Sequence, residues 1–241
     1  MSRKSQRNRP APEPDSVAAQ EATVRGTGRR SLVLGLLVAG LAIVAGSFLF
    51  SSKSTRPSGD DDGARAAALA SAHSPTVGEP GARVHIVEFL DPACETCAAF
   101  YPLVKRVMSR NPGQIRLSVR HVAFHEGSDY VVRLLEASRA QDKYWQALEA
   151  LLATQSQWTV HHKVYPDRAT QVVAGLGLDM GRLMADMNSP EVVERAGRDH
   201  ADAMTLKVTA TPEYFVNGRQ MPSFGEQQLM TLIAEELQKA Y

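Results

Sequence analysis

Apolar and polar residues follow three regimes along the chain. Residues 1–30 show no apolar period and are rich in Arg, Ser, Pro and Ala, which predicts a disordered basic tail. Residues 32–50 are an unbroken run of nineteen uncharged, mostly apolar positions. As a helix that run spans about 28 Å, close to the roughly 30 Å hydrocarbon core of a bilayer. It has no polar face, and Arg29, Arg30 and Lys53 flank it, so a transmembrane anchor over 31–50 is expected rather than a buried core helix. Residues 51–75 turn to Ser, Gly, Asp and Ala and read as a flexible spacer, within which 64–72 can form a short helix.

From residue 76 the periods are those of a folded domain. Residues 84–90 are β-branched and apolar and stop at Asp91-Pro92, which predicts a buried strand. Cys97, Phe100, Tyr101, Val104, Val107 and Met108 recur at helical spacing over 94–110, and Asn111-Pro112-Gly113 ends that helix. A second strand is expected over 115–124. Residues 127–206 carry helical patterns interrupted at Gly175 and Gly177, and their aromatics, including Trp145 and Trp158, read as core. Residues 213–216, Asn217-Gly218 and 219–221 predict a tight hairpin, and 225–240 an amphipathic helix with Leu229, Leu232, Ile233 and Leu237 inward. The fold class implied is α/β: a mixed sheet flanked by helices, with a helical block set into it.

Charge sharpens the picture at the N-terminus. The 27 basic and 26 acidic residues nearly cancel, so a nucleic-acid partner is not expected. Seven basic residues fall within the first thirty, which favours a cytoplasmic N-terminus and places the domain on the periplasmic, extracytoplasmic side of an inner membrane. Arg29-Arg30-Ser31-Leu32-Val33 faintly resembles a twin-arginine export signal, but no small-x-small site closes the apolar run. A retained single-pass anchor is the reading; with cleavage the domain is still exported.

The chain has two cysteines, in Cys94-Glu95-Thr96-Cys97, at the junction of a strand and a helix. The nucleophile of disulfide exchange is a thiolate. Cys94 at a helix start meets unpaired N–H groups and the positive end of the helix dipole, and Cys97 lies one turn deeper, able to reach back. A structural pair or half of a zinc site is the alternative, and zinc would need two more ligands where the seven histidines, His161-His162 included, are scattered. Redox chemistry with no metal and no organic cofactor is the expectation.

Several features together resemble the thioredoxin superfamily, in particular its exported DsbA/DsbG-like branch, over about 76–241. Val87-Glu88-Phe89 leads into CxxC with Glu88 six residues before Cys94; Pro102 stands five after Cys97; the helical block falls where DsbA-like proteins carry one; and Thr211-Pro212 precedes Tyr214-Phe215-Val216-Asn217-Gly218. The resemblance implies that Glu88 is a buried acid beneath the cysteines, that Pro212 is cis and packs beside them, and that the Thr211 backbone pairs with an extended substrate segment. From the residues alone, a Glu on an apolar strand is expensive to bury as an anion, so its pKa should rise and it can exchange a proton with Cys97; a strand-edge Glu facing water, and an ordinary trans proline, stay open alternatives. Glu95-Thr96 differs from the Pro-His or Pro-Tyr found in relatives. The Glu95 carboxylate should oppose a Cys94 thiolate and tune the pair toward a weaker oxidant. The function expected is a membrane-anchored thiol–disulfide oxidoreductase acting on cysteine-containing exported proteins and reset by a partner redox protein. An envelope reductase or isomerase, or a tethered binding or chaperone module, are the competing readings.

Overall fold

The computed structural model describes residues 59–70 and 72–241; the expected tail, the anchor over 31–50 and the first part of the spacer lie outside them. Along the chain run helix α1 (Gly59–Leu69), strands β1 (Thr76–Val77) and β2 (Val84–Leu90), helix α2 (Glu95–Arg110) and strand β3 (Ile115–His121). Helices α3 (Ser128–Ser138), α4 (Tyr144–Ala153) and α5 (Gln155–Trp158) follow, then strands β4 (Thr159–Val160) and β5 (Lys163–Val164). Helices α6 (Pro166–Ala174), α7 (Met180–Asp186) and α8 (Pro190–Thr205) lead to strands β6 (Glu213–Val216) and β7 (Arg219–Gln220) and to helix α9 (Glu226–Ala240).

The main sheet has the order β1-β3-β2-β6-β7. Strands β2 and β3 run parallel, joined through α2, while β6 pairs antiparallel with the other edge of β2. Central β2 is buried on both faces, which is why its sequence is a continuous apolar run rather than an alternation. On one face Ile86 and Leu90 pack with α2, with Leu229, Leu232 and Ile233 of α9, and with the helical block. On the other, Val87, Phe89 and Phe215 meet Ala68 of α1 and Ala203 and Leu206 of α8. The β6–β7 turn places Asn217 and Gly218 at φ 48° and 80°, the left-handed pair that a two-residue hairpin needs. Gly78 at φ 106° lets the chain pass over β3, since a Cβ there would meet the Ile115 carbonyl oxygen at 2.6 Å.

Three boundaries differ from the sequence reading. The segment over 59–70, read as spacer with a short helix over 64–72, is helix α1 from Gly59 to Leu69, and its Ala68 is buried against the sheet. Its alanines carry too little hydrophobicity to signal a core contact, and beside the packing of Ala68 an ion cluster ties the end of the helix to the sheet. Arg120, buried on β3, donates from Nη1 to the Ala68 carbonyl oxygen (2.7 Å) and from Nε to Asp199 Oδ1 (2.5 Å), and also pairs with Asp202. Asp199 further accepts from the His121 backbone N–H (2.8 Å) and contacts His73 Nε2 (2.8 Å). Strand β3 ends at His121 rather than Phe124, because Phe124 and His125 turn their N–H groups to Asp91. The helical block contains a small hairpin, β4–β5, whose turn residues His161 and His162 sit at φ 52° and 62° without a glycine to mark it. No helix among the described residues is long and apolar enough to cross a membrane.

Burial alone would raise the Asp199 pKa, but His73, Arg120 and the His121 N–H outweigh it and hold the carboxyl below its usual value. Removing the cation leaves an uncompensated buried charge. Arg120→Leu is therefore expected to cost about 3–5 kcal/mol, read as a lower urea midpoint, with faster amide exchange in α1 than in α9.

Candidate active site

The site is built where β2 ends. Cys94 is the N-cap of α2, with extended backbone (φ −77°, ψ 117°) and no side-chain cap of its own, so the first-turn N–H groups are left for its sulfur. Two side chains hold this turn. Asp91, fully buried, accepts at Oδ1 from the Ala93 N–H (2.8 Å) and the Ser128 hydroxyl, and at Oδ2 from the N–H groups of Phe124 (2.7 Å) and His125 (2.9 Å); His125 Nδ1 also lies 2.7 Å from Oδ2. Gln155, from the helical block, donates from Nε2 to the carbonyl oxygens of Pro92 (2.7 Å) and Cys94 (3.0 Å). The turn before the dithiol is thereby tied to β3, α3 and α5.

Of the residues singled out from sequence, Cys94, Cys97, Glu88, Thr211 and Pro212 come together here. Cys94 is 6 % exposed and Cys97 is fully covered, and both are free thiols. The Thr211–Pro212 peptide is cis, and the Cys94 thiol donates to the Thr211 carbonyl oxygen at 3.2 Å. Glu88 is fully buried on the α2-facing side of β2, in register between Val119 and Tyr214. The Tyr214 hydroxyl donates to Glu88 Oε1 at 3.0 Å, and Oε2 is buried with no hydrogen-bond partner among the described residues. Glu95 points into solvent, where water screens its carboxylate; Thr96 contributes its backbone N–H.

Charge is distributed unequally over these groups. A hydrogen bond from the Cys97 thiol is the largest influence on Cys94; burial opposes it, and the Thr211 side chain and the N–H groups of Cys97 and Thr96 add to it, so the Cys94 pKa falls to about 5. Burial pushes the Cys97 thiol well above its ordinary value, reinforced by its bond to Cys94 and by the nearby Glu88. Burial also raises Glu88 to about 8, against a partly offsetting bond from Tyr214. The arrangement thus presents one thiolate at the mouth, one protonated thiol beneath it, and one carboxyl able to hold a proton at neutral pH. Among the described residues no cluster of three or more His, Cys, Asp or Glu side chains could hold a metal ion.

Asp91, Gln155 and Tyr214 were not recognised as site residues from sequence. Asp91 carried only a turn signal with Pro92, and Tyr214 only strand character. Gln155 had none, because a glutamine in a helical stretch is ordinarily solvated.

A CxxC pair heading the first helix after the central strand, faced by a cis X-Pro peptide, defines a thioredoxin-type dithiol protein. Residues 70–235 match the family model described as "Thioredoxin", and the chain belongs to that family, with a DsbA-like fold. A thioredoxin-like oxidoreductase from Silicibacter pomeroyi is 28 % identical, with a TM-score of 0.63 over 73 % of this chain and 98 % of that one. Wolbachia pipientis alpha-DsbA1 is 17 % identical, with a TM-score of 0.64 over 73 % of this chain and 97 % of its own, a likeness of fold. Among curated proteins, the Na(+)/H(+) antiporter NhaA of Herminiimonas arsenicoxydans is 30 % identical over 158 residues, which are 66 % of this chain and 24 % of the antiporter. The chain spans about a quarter of the length of the curated relatives it matches.

Two measurements follow from the charge distribution. Alkylation of Cys94 should reach half its maximal rate near pH 5, against about 8.5 for a free thiol, with Cys97 unmodified in the native protein; mass mapping after iodoacetamide checks both. Glu88 binds its proton up to about pH 8 when folded but only to about 4.5 when unfolded, so between those values the folded state holds the extra proton and stability falls as pH rises. Glu88→Gln removes that loss: it should be stabilising by roughly 4 kcal/mol at pH 8 and nearly neutral at pH 4, by denaturant titration.

Proposed function

We propose that this chain is a membrane-anchored thiol–disulfide oxidoreductase that exchanges disulfides with cysteine-containing exported proteins through Cys94 and Cys97. The observation that carries the reading is the unequal pair itself: a Cys94 sulfur held toward thiolate and a Cys97 thiol buried and protonated behind it. In the oxidising direction a substrate thiolate attacks the Cys94 sulfur of the Cys94–Cys97 disulfide, and the Cys97 sulfur leaves and takes a proton. The second substrate thiolate then attacks its own half of the mixed disulfide, and Cys94 departs as a stable thiolate. Glu88 supplies and accepts the Cys97 proton, a role supported by its burial near Cys97 and its raised pKa. Thr211 presents its carbonyl at the mouth, where the backbone of an extended substrate can pair with it.

Electron flow toward the protein is favoured by the same observation. Stabilising the reduced form through its Cys94 thiolate makes the disulfide the better oxidant. The sequence had suggested a weaker oxidant because of Glu95, but that carboxylate is solvated while the sulfur is held by shorter-range hydrogen bonds. An envelope reductase or isomerase is the second reading.

The uncharged run over 32–50 and the basic residues before it support an inner-membrane anchor with the domain on the periplasmic side. A separate redox protein resets the dithiol. Sodium–proton antiport is said of relatives of which the aligned stretch is about a quarter, and the 158 aligned residues far exceed the 58 that precede the described domain. The stretch shared with them is therefore chiefly thioredoxin domain.

The test is oxidative refolding of a reduced two-cysteine substrate by the full chain beside Cys94→Ser. The wild type should accelerate it and the variant should not, and the measured potential should lie above thioredoxin's, about −270 mV. Cys97→Ser in cells should collect mixed disulfides with exported proteins in the membrane fraction. Equal refolding by wild type and Cys94→Ser would end the enzyme reading, and a potential at or below thioredoxin's would favour the reductase.

A further inference from the structure

The mechanism needs a group that takes the Cys97 proton and gives it back, and Glu88 lies beneath the cysteines for that purpose. Its surroundings are unusually sparse. On one side its strand neighbour is Val119, which offers no polar atom, and on the other it is Tyr214. Among the described residues, the titratable groups that act on Glu88 are Tyr214 from β6 and Cys94, Cys97 and Tyr101 from α2, and none of these is a cation. The Tyr214 phenol is itself fully buried, its ring lies 6.4 Å from that of Phe100 in a stacked arrangement, and its hydroxyl donates to Glu88 Oε1. A buried hydroxyl bonded to a buried acceptor is held in that direction. The second carboxyl oxygen has no partner among the described residues, and an unpaired buried oxygen is costly unless it has another occupation.

We infer that Tyr214 is a positioning residue for the exchange reaction: by donating to Oε1 it anchors the Glu88 carboxyl and reserves Oε2 as the oxygen that takes and returns the Cys97 proton. The inference rests on the dithiol reading and deepens it. When Cys97 resolves a mixed disulfide, its S–H proton passes to the Glu88 carboxylate, its sulfur forms the bond to Cys94, and the substrate leaves as thiolate. When the Cys94–Cys97 disulfide is opened by an incoming thiolate, Cys97 leaves as thiolate and takes the proton from the Glu88 carboxyl. Both directions need the carboxyl to change state near working pH. Burial alone would hold the proton on more tightly, and the phenol hydrogen bond is what pulls it back toward the neutral range.

Tyr214→Phe keeps the ring and removes only the hydroxyl. Two readouts on the full chain test the inference. In difference infrared spectra, with Glu88→Gln assigning the band, the Glu88 carboxyl should titrate about one pH unit higher in Tyr214→Phe than in wild type. In single-turnover resolution of a mixed disulfide between Cys94 and glutathione, the rising limb of the pH profile should move up by the same amount. At pH 7.5 the rate should fall by up to about tenfold and recover at higher pH. In a Glu88→Gln background the further change Tyr214→Phe should have no effect on the profile, which a general loss of packing would not reproduce. An unmoved carboxyl titration, an unmoved profile, or an equal effect in the Glu88→Gln background each overturns the inference. These are distinct from failure of the dithiol reading, in which wild type and Cys94→Ser would exchange disulfides equally.

Discussion

The desolvation of two acidic groups beneath a helix start governs this site. Glu88 and Cys97 are both removed from water, and a negative charge on either would lie in apolar surroundings close to the other. Both are therefore held protonated, and the charge of the dithiol is left to Cys94 at the mouth. There the Cys97 thiol, the Thr211 side chain and the first-turn N–H groups can solvate a thiolate. On a solvated helix the same two cysteines would differ only through the helix-start N–H groups and dipole that favour a Cys94 thiolate. Burial of Cys97 widens that difference and keeps the charge on the outer sulfur.

Such a site needs a rigid mouth, and the scaffold supplies it from outside the α2 helix. The Asp91 carboxylate gathers N–H and hydroxyl donors from the β2–α2 turn, the end of β3 and the start of α3, while Gln155 reaches from the helical block to the carbonyls of Pro92 and Cys94. The helical insertion is thus a structural partner of the dithiol turn as well as a cover for the sheet. On the opposite face, Arg120 with Asp199 and Asp202 joins α1 and α8 to β3. The segment that leads toward the expected membrane anchor is therefore part of the domain from residue 59 onward, which shortens the stretch available as a spacer.

Much of the fold was legible from residue pattern. The apolar run of β2, the helical period after Cys94, the Asn217-Gly218 turn and the apolar face of α9 each announce a local structure because backbone propensity and burial agree there. The differences share one cause. The extent and docking of helix α1, the His161-His162 turn and the end of β3 are set by partners distant in sequence: an arginine on β3, the packing of the helical block, and a carboxylate on the loop after β2. Local composition holds no trace of those partners.

At the site, the sequence alone determined which candidate groups stand near one another along the chain: two sulfurs one helical turn apart at a strand–helix junction, an acid on the strand before them, and a Thr-Pro step ahead of a hairpin. Covalent spacing and helix geometry suffice for the sulfurs, while the acid and the Thr-Pro step were marked by the family resemblance. Only the tertiary structure decided how charge is shared among them and which neighbours matter. It turned Glu95 outward where water mutes it, and it aimed Tyr214 at Glu88 across the sheet. It also closed Asp91 and Gln155 around the turn. Desolvation and hydrogen-bond geometry are properties of the packed state, and no stretch of chain carries them until it is folded against the rest.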